Sequence, residues 1–152
     1  MIEYRPAQLT DAEELARLRV EFLLEAHGMS GDAEKETLYA SNLEYFRRTL
    51  GHEFAAWLAV DEGEIIGTSG VSVYEHPPNQ GAPTGKIAYI ANMFTLPQHR
   101  GRGVATRLFA LVVEEAKSRG CEKVMLNATI MGYPIYKKYG FADVAGDMEF
   151  YF

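Results

Sequence analysis

Apolar and polar residues along the chain recur with two periods, one typical of strands and one typical of helices. The predicted strands cover residues 2–5, 54–60, 64–73, 86–96 and 123–128, with two brief ones around 142–144 and 148–152. The predicted helices cover residues 10–26, 32–50, 103–119 and 133–139. These are the elements of an α/β protein.

Turn and cap signals indicate how several of these elements begin and connect. The Thr10-Asp11-Ala12-Glu13 run has the form of a capping box, so we expect it to open the first helix. Asp61-Glu62-Gly63 separates two strand-like runs and predicts an antiparallel hairpin. Residues 75–85 are rich in Pro and Gly and read as a loop. Residues 86–128 read as strand, helix, strand, which predicts a βαβ unit with nearly parallel strands.

Composition restricts the class of protein. A chain of 152 residues that is 47% hydrophobic can close one sizeable core, so we predict a single domain over residues 1–152. The first residues lack the pattern of a signal peptide, and no run approaches ~18 apolar residues, so we expect a soluble, cytoplasmic protein. A net charge of -6 argues against nucleic acid or an anionic membrane as partner. Cys121 and four scattered histidines have no zinc-like spacing, so we expect no metal.

The strongest chemical signal lies between the predicted strand over residues 86–96 and the helix that follows it. Gly101 and Gly103 at such a turn allow the backbone to approach a ligand closely, with its amides pointing outward. The helix adds the positive end of its dipole, and Arg100, Arg102 and Arg107 form the densest basic cluster of an acidic chain. The turn therefore predicts a phosphate-binding site.

Two familiar phosphate-binding motifs do not fit this turn. A Walker A loop requires Lys and then Ser or Thr directly after its last glycine, and a dinucleotide fingerprint lies near the start of its fold. The remaining pattern, Gln98-x-x-Gly101-x-Gly103 before an amphipathic helix, resembles the (Q/R)xxGx(G/A) signature of the GNAT superfamily. Upstream, Met93-Phe94-Thr95-Leu96-Pro97 resembles the fourth strand of that family and its exit. Downstream, Asn127, Tyr136 and Gly140-Phe141 match its fifth strand, its tyrosine and its "GF" element.

The resemblance implies a fold and a cofactor. The GNAT fold is a mixed, twisted sheet of six to seven strands with helices on both faces, and acetyl-CoA lies in a V-shaped opening between the fourth and fifth strands. By this resemblance, backbone amides from Arg100 to Ala105 hold the pyrophosphate, the backbone of Phe94 and Thr95 pairs with the pantetheine arm, and the amide of Met93 or Phe94 meets the thioester oxygen. The expected cofactor-binding residues are Met93, Phe94, Thr95, Gln98, Arg100, Gly101, Arg102, Gly103, Val104, Ala105, Asn127 and Tyr136. For Asn127 a second interpretation is that it caps the turn after the strand.

The resemblance also implies a reaction, the direct transfer of an acetyl group from acetyl-CoA to a primary amine in a ternary complex. Tyr136 stands in the family's Y-x-x-x-G-F pattern, and a phenol with a pKa near ~10 stays protonated at neutral pH and can act as the general acid. Simple packing under the sheet is the alternative for this tyrosine.

The general base is less clearly marked in the sequence. Glu21 and Glu25 lie on one face of the first helix and are the candidates for binding or deprotonating a cationic amine, although Arg17 is placed to pair with Glu21. Glu75 and His76, at the start of the loop over residues 75–85, are further candidates.

The sequence restricts the acceptor and the oligomeric state only to broad classes. We expect a small-molecule amine rather than a protein as acceptor, and the resemblance is compatible with a homodimer. The alternative function is a catalytically silent acyl-CoA-binding protein with a sensing or scaffold role, because a phosphate-binding turn persists without any base.

Overall fold

The computed structural model describes all 152 residues and consists of a five-stranded sheet with helices on both faces. The strands are β1 (Glu3–Pro6), β2 (Phe54–Asp61), β3 (Glu64–Glu75), β4 (Lys86–Thr95) and β5 (Lys123–Leu126). The helices are α1 (Ala12–His27), α2 (Asp32–Thr49), α3 (Val104–Ser118) and α4 (Tyr133–Tyr139), with short 3-10 turns at Leu9–Asp11 and Pro97–His99. The predicted α/β class and the predicted helices are confirmed.

The strands lie in the sheet in chain order, from β1 at one edge to β5 at the other. Neighbours from β1 to β4 pair antiparallel, and β4 pairs with β5 in parallel, as expected when a helix connects two strands. The predicted hairpin of β2 and β3 closes between Asp61 and Glu64. Its turn residues Glu62 and Gly63 have φ of 51° and 84°, the conformation that a two-residue hairpin requires. No helix combines the length and the apolar character needed to cross a membrane.

The two helical layers bury separate clusters of apolar side chains. On one face, α1 and α2 cover the sheet through a cluster that includes Leu15, Phe46 and Phe54. On the other face, α3 and α4 cover it through a cluster that includes Phe109 and Tyr136. Because the strands contribute alternate residues to the two clusters, the middle of the sheet is buried on both sides.

The number of strands differs from the expectation of six to seven. Residues 142–144 and 148–152 form no strand, and side chains such as Val144, Met148 and Phe150 are exposed. Their alternation of apolar and polar residues was a local signal, whereas a strand also needs a neighbouring edge for its backbone hydrogen bonds. β5, the edge strand that precedes these residues in the chain, is four residues long and pairs only with β4, so residues 142–152 do not extend the sheet beyond it.

The start of α1 also differs in detail from the predicted capping box. The carboxylate of Asp11, and not Glu13, reaches back along the chain, and it accepts a hydrogen bond of 2.7 Å from the backbone N–H of Gln8. Both oxygens of Asp11 also accept from the Arg5 guanidinium at 2.9 Å. The box is therefore shifted by two residues, because Arg5 on β1 draws the acidic side chain to this position.

Candidate functional site

The sheet opens between β4 and β5. The two strands pair only where Ile87–Ile90 face Lys123–Leu126, and β4 then continues to Thr95 without β5 beside it. Along the same stretch β4 carries a bulge, because Thr68 pairs with Phe94 and Gly70 with Ala91, so two residues of β4 face one of β3. The V-shaped opening expected between the fourth and fifth strands is therefore present.

A cavity of about 990 Å³ occupies this opening, at the upper end of the range for small-molecule and cofactor sites. One wall comes from the end of β4 and the turn before α3, and the facing wall from the segment that joins β5 to α4. The end of α1 closes a third side. Ten of the twelve expected cofactor-binding residues line the cavity: Met93, Phe94, Thr95, Arg100, Gly101, Gly103, Val104, Ala105, Asn127 and Tyr136. Gln98 and Arg102 do not line it.

Six consecutive backbone amides before and at the start of α3, those of residues 101–106, donate to no acceptor within the chain, and all of these residues except Arg102 line the cavity. The first N–H after them, that of Arg107, donates to the carbonyl of Gly103 as α3 begins. Gly101 and Gly103 have φ of 76° and 78°, and a Cβ built on either glycine would meet no atom within 4 Å. The turn therefore presents unpaired N–H groups to open space at a helix N-terminus, which suits a phosphate group.

The arginines around this turn do not converge on it. Arg102 is held outside the cavity by Asp61 and His99, each at 2.9 Å. The guanidinium of Arg107 lies 6.0 Å from the centre of the Tyr4 ring. Of the three arginines only Arg100 lines the cavity, so the expected basic cluster is dispersed, and the helix N-terminus adds its partial positive charge to that of Arg100.

Tyr136, on α4, lines the cavity. Its side chain is buried, with 7% of the residue exposed, and its ring packs 4.8 Å from that of Phe109. Burial raises the pKa of the Tyr136 phenol, so the hydroxyl is protonated at neutral pH. A Cβ built on Gly132 would lie 2.5 Å from this hydroxyl, which explains why glycine precedes α4. Tyr136 thus both packs under the sheet and borders the cavity.

Asn127 follows β5 on the facing wall of the cavity. Its residue is exposed, and its side chain makes no hydrogen bond within the chain. The turn before α4 is capped instead by Thr129, whose hydroxyl accepts from the N–H of Gly132 at 3.1 Å. The interpretation of Asn127 as a turn cap is therefore wrong, and its amide is free to meet a ligand.

Both candidate carboxylates on α1 are already paired. Glu21 contacts Arg17, as one of its two interpretations anticipated, and it does not line the cavity. Glu25 lines the cavity, but its two oxygens lie 2.7 and 2.8 Å from one terminal nitrogen of Arg100. The Nε of Arg100 donates to the Thr95 carbonyl at 2.9 Å, which ties the turn, β4 and α1 together.

Sequence reasoning missed part of the cavity wall and kept two candidates that lie elsewhere. Residues 128–132, between β5 and α4, form much of the wall. The signal in the sequence is an apolar residue, Ile130, within a loop, and the structure leaves its side chain exposed. On the side of α1, Phe22 and His27 also line the cavity. The remaining candidates for the base, Glu75 and His76, do not.

Curated relatives with named activities match parts of the chain. A glucosamine 6-phosphate N-acetyltransferase of Trypanosoma brucei brucei is 27% identical over 101 residues, 66% of this chain and 67% of that protein. Glucosamine 6-phosphate N-acetyltransferase 1 of Oryza sativa subsp. japonica is 34% identical over 68 residues, 45% of this chain and 41% of that protein. Aminoglycoside N(6')-acetyltransferase type 1 of Salmonella typhimurium is 30% identical over 70 residues, 46% and 48% of the two chains. The match thus spans about two fifths of the length of the rice protein.

Solved structures match over nearly the whole length. A predicted acetyltransferase of Clostridium acetobutylicum, solved with acetyl-CoA, has a TM-score of 0.89 at 33% identity, over 99% of this chain and 96% of that one. A GCN5-related N-acetyltransferase of Ralstonia eutropha JMP134 has a TM-score of 0.86 at 27% identity, over 98% and 97% of the two chains. The model of the acetyltransferase (GNAT) family matches residues 13–141. The chain therefore belongs to the acetyltransferase (GNAT) family.

Proposed function

We propose that the protein transfers an acetyl group from acetyl-CoA to a primary amine of a small acceptor, by direct attack in a ternary complex. The observation that carries the proposal is the row of unpaired amides of residues 101–106 beside a cavity that a protonated tyrosine also lines. Family membership and the acetyl-CoA in the Clostridium acetobutylicum structure support the same donor.

The residues of the cavity fit acetyl-CoA by their chemistry. The unpaired amides of the turn would bind the pyrophosphate, and the free side-chain amide of Asn127 would meet an amide of the pantetheine arm. Met93 lies within the bulge of β4 and has no register partner on β3, so its backbone N–H would meet the carbonyl oxygen of the thioester, whereas Phe94 is paired with Thr68. The bound cofactor supplies an activated acetyl group and a thiolate leaving group.

Tyr136 is the proton donor in this proposal. Its pKa is raised by burial, so the phenol holds its proton at neutral pH and donates it to the departing thiolate. Its contact with Phe109 fixes the ring, which reduces the cost of positioning the hydroxyl.

The proton of the acceptor amine needs a second group. Glu21 is no longer a candidate, because it lies outside the cavity and pairs with Arg17. Glu25 remains the carboxylate that can receive this proton, directly or through water, once a ligand has drawn Arg100 away from it. The pairing of Glu25 with Arg100 is also the observation that favours the second candidate function, a protein that binds acyl-CoA without catalysis.

The test measures release of the CoA thiol from acetyl-CoA with a panel of primary amines, for the wild type and for Tyr136→Phe. We expect the variant to lose about 10²- to 10⁴-fold in kcat, the usual contribution of a general acid, with unchanged affinity for acetyl-CoA. Tyr139→Phe is the matched control, because Tyr139 packs on the same Phe109 ring at 5.2 Å but does not line the cavity. Full activity in Tyr136→Phe would remove the proposed role, and binding of acetyl-CoA without turnover of any amine would establish the silent function.

A further inference from the structure

Arg19 is a half-buried cation without an anion. It lies on α1, and its guanidinium makes no ion pair and no hydrogen bond within the chain. Burial lowers the pKa of Arg19, since no carboxylate nearby offsets the loss of solvent, although an arginine remains charged at neutral pH. Placing a charged group away from water without a partner is costly, so its position requires an explanation beyond packing.

The surroundings of Arg19 contain hydroxyl groups from three other elements. Tyr89 on β4 and Tyr45 on α2 raise the pKa of Arg19 and so partly offset the effect of its burial. The hydroxyl of Tyr45 lies 3.1 Å from that of Ser72 on β3, and Ser72 is the register partner of Tyr89. One hydroxyl of the Tyr45–Ser72 pair donates to the other, which leaves the guanidinium and two O–H groups to donate to a single anion.

This group lies beside the cavity of the proposed reaction. The Arg19 guanidinium is 5.4 Å from the centre of the Phe22 ring. Phe22 in turn packs edge-on against Phe94 at 6.2 Å, and both aromatic side chains line the cavity. The Phe22 ring therefore lies between Arg19 and the cavity, and a small molecule is long enough to contact both.

The charges on the same helix indicate which kind of acceptor fits. A second positive charge on the acceptor would need a free carboxylate, but Glu21 is paired with Arg17, and Glu25, once released from Arg100, serves the reacting amine in the proposed reaction. Arg19 is the charge that α1 leaves unpaired at this cleft. We propose that Arg19, with the hydroxyls of Tyr45, Ser72 and Tyr89, binds an anionic group on the acceptor, a carboxylate or a phosphate.

The proposal rests on the proposed acetyl transfer and narrows its substrate to small amines that carry a negative charge. The named relatives include enzymes for an anionic amine, glucosamine 6-phosphate, and for aminoglycosides, so their names do not decide between the two classes. The orientation follows from the site: the anion is held at Arg19 while the amine points into the cavity toward the end of β4.

The test compares matched pairs of acceptors that differ in charge. Glucosamine 6-phosphate against glucosamine probes a phosphate, and β-alanine against β-alaninamide probes a carboxylate. We expect the wild type to favour the anionic member of at least one pair by about 10- to 100-fold in kcat/KM, the size of one charge-assisted interaction. The pair that shows the preference identifies the anion, and equal use of both members in both pairs overturns the proposal.

Arg19→Gln should abolish this preference. The loss should fall on KM for the anionic acceptor with kcat nearly unchanged, because the group binds a part of the substrate that does not react. The neutral acceptor should be used as before, and Arg19→Lys should restore part of the effect. The matched control is Arg48→Gln, which removes an exposed arginine whose guanidinium lies 5.7 Å from the Tyr45 ring. A preference that survives in Arg19→Gln would overturn the assignment.

Failure of the proposed reaction would be seen separately. If no amine releases CoA, calorimetric titration of glucosamine 6-phosphate and β-alanine into the protein saturated with CoA still reports on the anion site. Binding that Arg19→Gln weakens and Arg48→Gln preserves would support the proposal without catalysis. No binding of either compound by the wild type would overturn it.

Discussion

Replacing Gly103 by alanine should weaken acetyl-CoA binding much more than it weakens the fold. The φ of Gly103 is 78°, a region that disfavours any residue with a Cβ, and the added methyl would meet no protein atom within 4 Å. Because Gly103 lines the cavity, the methyl would occupy space in front of the unpaired amides of residues 101–106.

Gly120 provides the matched control for this change. It follows α3 with a φ of 81°, a Cβ there would also meet nothing within 4 Å, and it does not line the cavity. Gly103→Ala and Gly120→Ala should therefore share the backbone strain of about 1–2 kcal/mol, which lowers Tm by about 2–8 °C in a domain of this size. Only the first should lose hydrogen bonds to the pyrophosphate, at about 1.5–3 kcal/mol each, or about 10- to 150-fold in Kd.

The assay is calorimetric titration of acetyl-CoA into the wild type and both variants, with thermal melts of each protein. The melts should show similar losses of stability for the two variants, while Kd should rise only for Gly103→Ala. Equal affinity in the two variants would refute the assignment of the turn as the pyrophosphate site. A far larger fall in Tm for Gly103→Ala would show that the glycine serves the fold and not the ligand.

Two further changes test single contacts. Gly132→Ala, at a helical φ of -80°, places a Cβ 2.5–2.7 Å from three atoms of the buried Tyr136 side chain, so it should cost about 1–3 kcal/mol of stability and displace the hydroxyl, with kcat falling by about 10²-fold. Losses of kcat that add in the double variant with Tyr136→Phe would contradict this. Asp11→Asn weakens the pair with Arg5 and should lower the free energy of unfolding at pH 7 by about 1.5–3 kcal/mol. The control Glu13→Gln removes an exposed pair with Arg47 and should leave the free energy of unfolding nearly unchanged. Arg5 lowers the pKa of Asp11, so in urea titrations the advantage of the wild type should be present above about pH 4 and disappear as the pH falls through the folded pKa.

Much of the fold follows from local patterns. The helices, the hairpin and the strand before the glycine-containing turn of residues 100–103 each carry their own signal, such as apolar spacing in α3 or the Asp61-Glu62-Gly63 turn. The two strands expected after residue 141 were wrong because strand formation depends on a partner edge elsewhere in the chain. The turn lies between β4 and α3 as predicted, because its glycines and the start of a helix are adjacent in sequence, and its binding of phosphate stays a prediction.

The directions of charged side chains could not be predicted in the same way. Arg100 pairs with Glu25, 75 residues earlier in the chain, and Arg102 pairs with Asp61, 41 residues earlier. Sequence spacing contains no information about such contacts, so the basic residues near the turn looked like one cluster. The isolation of Arg19 depends equally on what α2, β3 and β4 place around it.

The Arg100–Glu25 ion pair joins the turn before α3 to the end of α1, and both partners line the cavity. A pyrophosphate bound at the turn would compete with Glu25 for the Arg100 guanidinium. Arg100 would then pair with Glu25 in the free protein and with the pyrophosphate in the complex. Thermodynamic linkage then requires that whatever the donor does to the affinity for the acceptor, the acceptor does equally to the affinity for the donor. An acceptor that needs Glu25 unpaired would bind after acetyl-CoA, and the reaction would proceed by ordered addition.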